Sequence, residues 1–223
     1  MPNPEWRIKV PRDRFEALRG DERFRQVLVL GRMLNSLRFL QCTFLGAVDL
    51  KPPADIRHQF SAFFFLVAVM YEGLRLLKRM GKLFRDSKSW RQKISPILQD
   101  RAFERLFTSS MDPLRNQAVF HFFEDSIETP LAACDPKDYT VVVGSGRGQK
   151  QVFYELSDLL ALDIFIGTLG STQEQTRRAM RLMDQTLDLL NKVVEASASL
   201  IAEYCRSEDM VFESSSRKGS SGT

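Results

Sequence analysis

Two histidines are the only imidazole side chains in this 223-residue chain, so imidazole chemistry here would have to use His58 or His121. His121 follows an arginine and an amide, Arg115 and Asn116, at a spacing of a few residues. Cleavage of a phosphodiester without a metal needs a base, an acid and cationic donors for the crowded phosphate. An imidazole titrates near neutral pH, and a guanidinium donates to two phosphate oxygens at once. Arg115, Asn116 and His121 are of the residue types that such a reaction uses, although a histidine flanked by phenylalanines is also typical of a packed core.

The pattern Arg115-Asn116-x4-His121 resembles the signature of the HEPN superfamily, the higher eukaryote and prokaryote nucleotide-binding domains. In that family an arginine and a polar residue precede a histidine on a helix of an α-helical bundle. The segment Gly31–Phe39 is similar to the abortive-infection-type members as well. The resemblance implies a metal-independent endoribonuclease in which Arg115 stabilises the phosphate, Asn116 orients and His121 transfers protons. It implies no metal ion and no cofactor.

The resemblance also implies a homodimer with the motif at its interface. Residues six apart on a helix are about 9 Å apart along the axis and about 120° around it. Arg115 and His121 would then bracket a groove instead of bonding to each other. One histidine per chain does not easily serve as both acid and base, and a second copy across a twofold axis would supply the missing group. A separately encoded antitoxin, often nucleotidyltransferase-like, is implied for a toxin–antitoxin or anti-phage system.

A second candidate feature is a run of positive charge. From Arg75 to Lys93 the sequence holds eight basic residues and one acid, Asp86. Five of them recur at three- and four-residue spacing and so form one stripe along a helix. Phosphate contacts give sequence-independent affinity for nucleic acid. The stripe is thus a candidate RNA-binding surface, or else a solvated helix face: Arg75, Lys78, Arg79, Lys82 and Arg85.

Two other functions fit the same residues. In the first, the protein is a non-catalytic helical module that binds a protein or nucleotide, and His121 packs among Phe120, Phe122 and Phe123. In the second, it is an RNA-binding regulator that uses the stripe without cleaving. Glu72 also has a structural interpretation, as an ion-pair partner of Arg75 one turn away.

Hydrophobic periodicity predicts helix along most of the chain, which is typical of an all-α bundle of five to six helices. Asp112-Pro113 is typical of a helix start, with an acidic N-cap and proline at the first helical position. Two β-favouring runs around a glycine-rich loop predict a hairpin insertion at 139–154. We expect one domain over 1–206 and an unstructured serine-rich tail over 207–223. Helices are predicted at about 21–46, 54–86, 97–108, 114–125, 155–166 and 172–204.

Composition limits the remaining classes. Hydrophobic residues are 43% and charged residues 27% of the chain, which excludes disorder throughout, and the net charge of +4 permits an anionic partner. Three isolated cysteines favour neither a zinc site nor a disulfide framework. The glycine-rich loop lacks the Lys-Ser/Thr and following helix of a phosphate-binding loop.

The longest uncharged apolar run, Gln59–Tyr71, is shorter than the roughly 20 residues that cross a bilayer. We expect no membrane partner and a cytoplasmic location.

Overall fold

The computed structural model describes residues 5–46, 54–116, 128, 131–132, 141–146, 149–154, 160–161, 164–166 and 172–215. These residues confirm the predicted all-α bundle with a small β insertion. The helices are α1 (Arg12–Leu18), α2 (Glu22–Gly46), α3 (Ala54–Phe84), α4 (Ser95–Gln99), α5 (Arg101–Leu106), α6 (Asp112–Leu114) and α7 (Thr172–Ser207). The strands are β1 (Glu5–Lys9), β2 (Val141–Gly146), β3 (Gln149–Tyr154) and β4 (Val211–Ser215).

Helix α3 is the central element of the bundle. Its middle is enclosed by neighbouring helices on most sides, which explains why this part of the sequence is apolar at nearly every position. Helix α2 packs along it where Gly73 leaves room for the side chain of Met33. The ring of Phe165 packs edge-on against Phe63 at 5.4 Å. The fully enclosed positions of α3 are Leu66, Val67, Ala68, Met70, Leu74, Leu77 and Met80.

Two π-helical turns, Trp90–Ile94 and Phe107–Met111, lie between the longer helices, and each comes directly before a residue–proline pair. An amide at the end of each turn donates to a carbonyl five residues back. Proline has no amide hydrogen, and its ring collides with the carbonyl four residues earlier in a regular α-helix. The wider turn relieves this conflict, so the helical path continues through Pro96 and Pro113.

The prediction that Asp112 caps a new helix is therefore wrong. Asp112 has helical dihedral angles (φ −63°, ψ −49°), and its amide already bonds to the carbonyl of Phe107. The break in this region comes earlier, at Asp100, whose side chain accepts a 2.7 Å hydrogen bond from the amide of Ala102 and starts α5. The carboxylate of Asp112 therefore does not cap a helix and instead interacts with other side chains.

The hairpin prediction is confirmed, because β2 and β3 pair antiparallel with Val141 opposite Tyr154. The prediction of an unstructured tail over 207–223 is wrong for β4, which pairs antiparallel with β1. Met210 is buried, and Arg206 lies 5.2 Å over the ring of Phe212. Among the residues described, no helix has the length and apolarity needed to cross a membrane.

Candidate functional site

The Arg115–Asn116 pair directly follows α6 in the helical stretch that runs through Pro113. Leu114, immediately before it, is fully buried and anchors the backbone in the core. The Arg115 side chain is 21% exposed, and its Nη2 lies 2.7 Å from Oε1 of Glu72 on α3. Its Nη1 donates a hydrogen bond to Oδ1 of Asn116. The Glu72 carboxylate therefore holds the motif arginine against α3, and the Asn116 amide orients it from the next residue.

A pair of stacked aromatic rings lies beneath Arg115 and also contacts two other cationic side chains. The rings of Tyr71 and Phe107 stack at 4.6 Å between centroids with an interplanar angle of 13°. Arg115 and Arg75 lie over Tyr71 at 5.7 Å and 5.8 Å, and Lys78 lies over Phe107 at 4.5 Å. Because ring faces carry negative potential, they offset part of the repulsion among the three positive charges.

Asp112 orients the polar groups of the site. Its Oδ1 accepts a 2.7 Å hydrogen bond from Nδ2 of Asn116, and its charge also acts on the hydroxyl of Tyr71. Burial is the main cause that raises the pKa of Tyr71, and Asp112 raises it further. The nearby Arg75 and Arg115 lower it by less. The phenol therefore stays protonated at neutral pH.

The five predicted stripe residues, four on α3 and Arg85 directly after its end, are all exposed, and we call them the cationic face: Arg75, Lys78, Arg79, Lys82 and Arg85. Lys78 pairs with Glu104 at 3.3 Å, and Arg85 reaches Asp86 at 3.9 Å. No carboxylate of the described residues lies within ion-pair distance of Arg79 or Lys82. Positive charge on this face is therefore only partly neutralised.

Arg115 extends the cationic face by about one helical turn. It lies over Tyr71, and Tyr71 and Lys82 are separated by about 17 Å along α3. The structure thus brings together Arg115, Asn116 and the N-terminal end of the stripe, which the sequence presented as separate features. His121 lies outside the described residues, as does the side chain of His58.

Sequence reasoning missed the roles of two carboxylates. Glu72 was expected to pair with Arg75, and it does at 3.8 Å, but Arg115 is its closer partner. Asp112 was expected to cap a helix, whereas it holds Asn116. The signal available in the sequence was the four-residue spacing of Asp112 and Asn116, which places both side chains on one helix face.

The described part of the site is a polar surface, with the Arg115 and Glu72 side chains 21% and 40% exposed. A cleft of about 340 Å³ lies elsewhere, between α4–α5 and α7, with Phe103 and Leu189 on its apolar walls and Asp188 and Lys192 at its rim. Arg115 and Asn116 do not line it. In the described part of the chain, no three His, Cys, Asp or Glu side chains come close enough together to hold a metal ion.

Comparisons with protein-family models, with curated proteins and with solved structures each find no match to this chain.

Proposed function

We propose that the protein is a metal-independent endoribonuclease that acts as a homodimer, with Arg115, Asn116 and His121 at its site. One observation carries the proposal: Arg115 shares the ring of Tyr71 with Arg75, so the motif arginine stands at one end of the cationic face. A single RNA strand along that face would contact Arg79 and Lys82 through its phosphates and present another phosphate to Arg115.

The chemistry is an internal phosphoryl transfer. A base removes the proton of the ribose 2′-hydroxyl, the 2′-oxygen attacks phosphorus, and the bond from phosphorus to the 5′-oxygen breaks. An acid protonates that departing oxygen, leaving a 2′,3′-cyclic phosphate and a 5′-hydroxyl. His121 of each of two copies would fill the two proton-transfer roles. Arg115 has five N–H donors, so it can stay paired with Glu72 and still donate to the phosphate.

RNA cleavage by purified protein tests the proposal. Labelled RNA is incubated in EDTA with the wild-type protein, His121→Ala and Arg115→Ala, and the product ends are identified. Loss of a general acid–base group costs about 10²–10⁴-fold in rate. Loss of a donor to the developing charge costs about 10²–10³-fold. We expect cyclic phosphate ends from the wild-type protein and losses of those sizes in the two variants.

His58→Ala is the matched histidine control, and Arg101→Ala, exposed on α5, is the matched arginine control. Both are expected to cleave at the wild-type rate. Equal cleavage by wild type and His121→Ala, or no cleavage by either, would reject the catalytic assignment.

Arg79 and Lys82 are exposed, and no carboxylate in the described part of the chain pairs with them. This observation also favours a second function, RNA binding without cleavage. In that case salt-dependent RNA binding survives His121→Ala and Arg115→Ala but falls when Arg79 and Lys82 are neutralised.

As a ribonuclease, the protein would act in the cytoplasm as the toxin of a toxin–antitoxin or anti-phage system. A nucleotidyltransferase-like antitoxin would restrain it.

A further inference from the structure

Helix α2 carries four large apolar side chains that are exposed to solvent. Leu28 is 54% exposed and Phe39 is 69% exposed, although both belong to a helix whose opposite side fills the core. Val29 and Leu45, on the flanks, are also more than half exposed. Exposed apolar residues grouped on one element mark an interaction surface more often than scattered ones do.

The spacing of this outer side is that of a helix-packing seam. Its most outward residues follow one another at alternating steps of four and three, all are exposed, and we call them the outer seam: Leu28, Arg32, Asn35, Phe39, Cys42 and Gly46. Steps of four and three keep a row of side chains facing a second helix along its whole length. The seam is about 27 Å long.

The charges exposed on α2 indicate which side chains the second helix should carry. Arg25, Arg32 and Arg38 are exposed on α2, and Glu22 in the first turn is the only acid of the helix. Arg38 donates to the amide oxygen of Gln41, and no carboxylate of the described residues pairs with any of the three arginines. A partner that brings carboxylates to this side would pair charges that are otherwise unopposed.

We propose that the outer seam binds an acidic amphipathic helix of another protein. A second copy of the same seam would bring six arginines together against only the two copies of Glu22, which is unfavourable. A flat lipid surface fits less well, because Arg32 and Asn35 separate Leu28 from Phe39 in the middle of the seam. The inference does not depend on the proposed nuclease activity, since the seam lies on α2 and Arg115 lies against α3.

Synthetic peptides provide the probe. The acidic peptide has three heptads with leucine at positions a and d and glutamate at e and g. The basic peptide is identical except for lysine at e and g. Each carries fluorescein, and the full-length protein is titrated against it by fluorescence anisotropy. We expect the acidic peptide to bind at least about tenfold more tightly than the basic one, since like charges at an interface are penalised.

Two variants and two controls locate the binding. Phe39→Ser should weaken acidic-peptide binding about tenfold, the usual loss for an aromatic anchor. Arg32→Glu should weaken it as well and reverse the preference towards the basic peptide. Met180→Ser, at a site 63% exposed on α7, and Arg101→Glu on α5 should bind as the wild type does. Circular dichroism verifies that all four variants stay folded.

Four results would overturn the proposal. The first is equal binding of the acidic and basic peptides, and the second is that Phe39→Ser and Arg32→Glu match their controls. The third is a dimer, detected by light scattering, that Phe39→Ser dissociates, which would assign the seam to a second copy. The fourth is co-sedimentation with phosphatidylserine vesicles that Phe39→Ser abolishes, which would assign it to lipid.

Discussion

Nη2 of Arg115 and Oε1 of Glu72 are 2.7 Å apart, so an ion pair ties the motif segment to the central helix α3. The pair is only partly shielded, with side chains 21% and 40% exposed. Solvent screening therefore limits its contribution to stability, and its main effect is to fix where the guanidinium points.

A double-mutant cycle of Glu72→Gln and Arg115→Gln measures this pair. We expect a coupling free energy of about 0.5–1 kcal/mol from urea unfolding, the upper part of the range for partly exposed pairs. The Lys192–Asp188 pair on α7 is the comparison, with both side chains more than half exposed. Its coupling should be the smaller of the two. Coupling of equal size in both cycles would mean that Glu72 does not hold Arg115 in solution.

The cationic face is tested through the salt dependence of RNA binding. Each phosphate contact with a single strand contributes a slope of about 0.7 in a plot of log K against log salt. Arg79→Gln with Lys82→Gln should lower that slope by about 1.4 in filter-binding titrations. The control double variant, Arg12→Gln with Arg101→Gln, neutralises two exposed cations elsewhere. A wild-type slope in the Arg79/Lys82 variant would exclude this face from binding.

Two helical glycines should respond oppositely to alanine. A Cβ at Gly73 would collide with the sulfur of Met33, whereas a Cβ at Gly31 meets no atom within 4 Å. Gly73→Ala should lower the free energy of unfolding by about 1–3 kcal/mol, the cost of overpacking a core. Gly31→Ala should raise it by about 0.5–1 kcal/mol through helix propensity.

Truncating Met33 tests whether its side chain causes the loss of stability in Gly73→Ala. In a Met33→Ala background the collision is removed, so Gly73→Ala should cost much less than in the wild-type protein. Chemical denaturation measures the loss of unfolding free energy caused by Gly73→Ala in each background. If that loss is the same with and without Met33→Ala, the added Cβ collides with some other group.

Glu203 should make stability depend on acid pH. Its carboxylate accepts hydrogen bonds from the amides of Lys88 (2.8 Å) and Ser89 (2.6 Å). Burial raises the pKa of Glu203, but the hydrogen bonds from Ser89 and Lys88 together outweigh it, and the net pKa is lowered. A carboxyl group with a lowered folded-state pKa stabilises the protein above its unfolded pKa of about 4.3. That stabilisation is lost as the pH falls through the folded-state pKa.

Urea unfolding of wild type and Glu203→Gln at pH 6 and pH 3 measures this contribution. The difference in unfolding free energy between the two proteins should be larger at pH 6 and shrink at pH 3. A difference that is independent of pH would show that folding does not lower the pKa of Glu203.

The sequence predicted the helices whose bounds depend on patterns of neighbouring residues. Helix α2 has a continuous three- and four-residue periodicity, and Pro52-Pro53 follows it, so its extent and that of α3 agree with the structure. The start signal at Asp112-Pro113 failed for a physical reason. A π-helical turn before the proline lets the helix continue, and no pattern in Phe107–Met111 announces that turn.

Contacts between distant residues could not be predicted in the same way. Strand β1 pairs with β4 across almost the whole chain, and both strands are short and partly polar, so neither has a strong local pattern. Likewise, the Glu72–Arg115 pair depends on how α6 packs against α3. The motif placed Arg115 and Asn116 among the candidates, but only packing brought them to the end of the cationic face.

The pairing of β1 with β4 has a consequence for how the chain can be rearranged. Glu5 lies opposite Ser215 in the register, and paired residues of antiparallel strands are about 5 Å apart. A short glycine linker could join those two positions, and new termini could be opened at the exposed turn around Asp86. The resulting circular permutant would synthesise its helices in a different order and still assemble the same bundle.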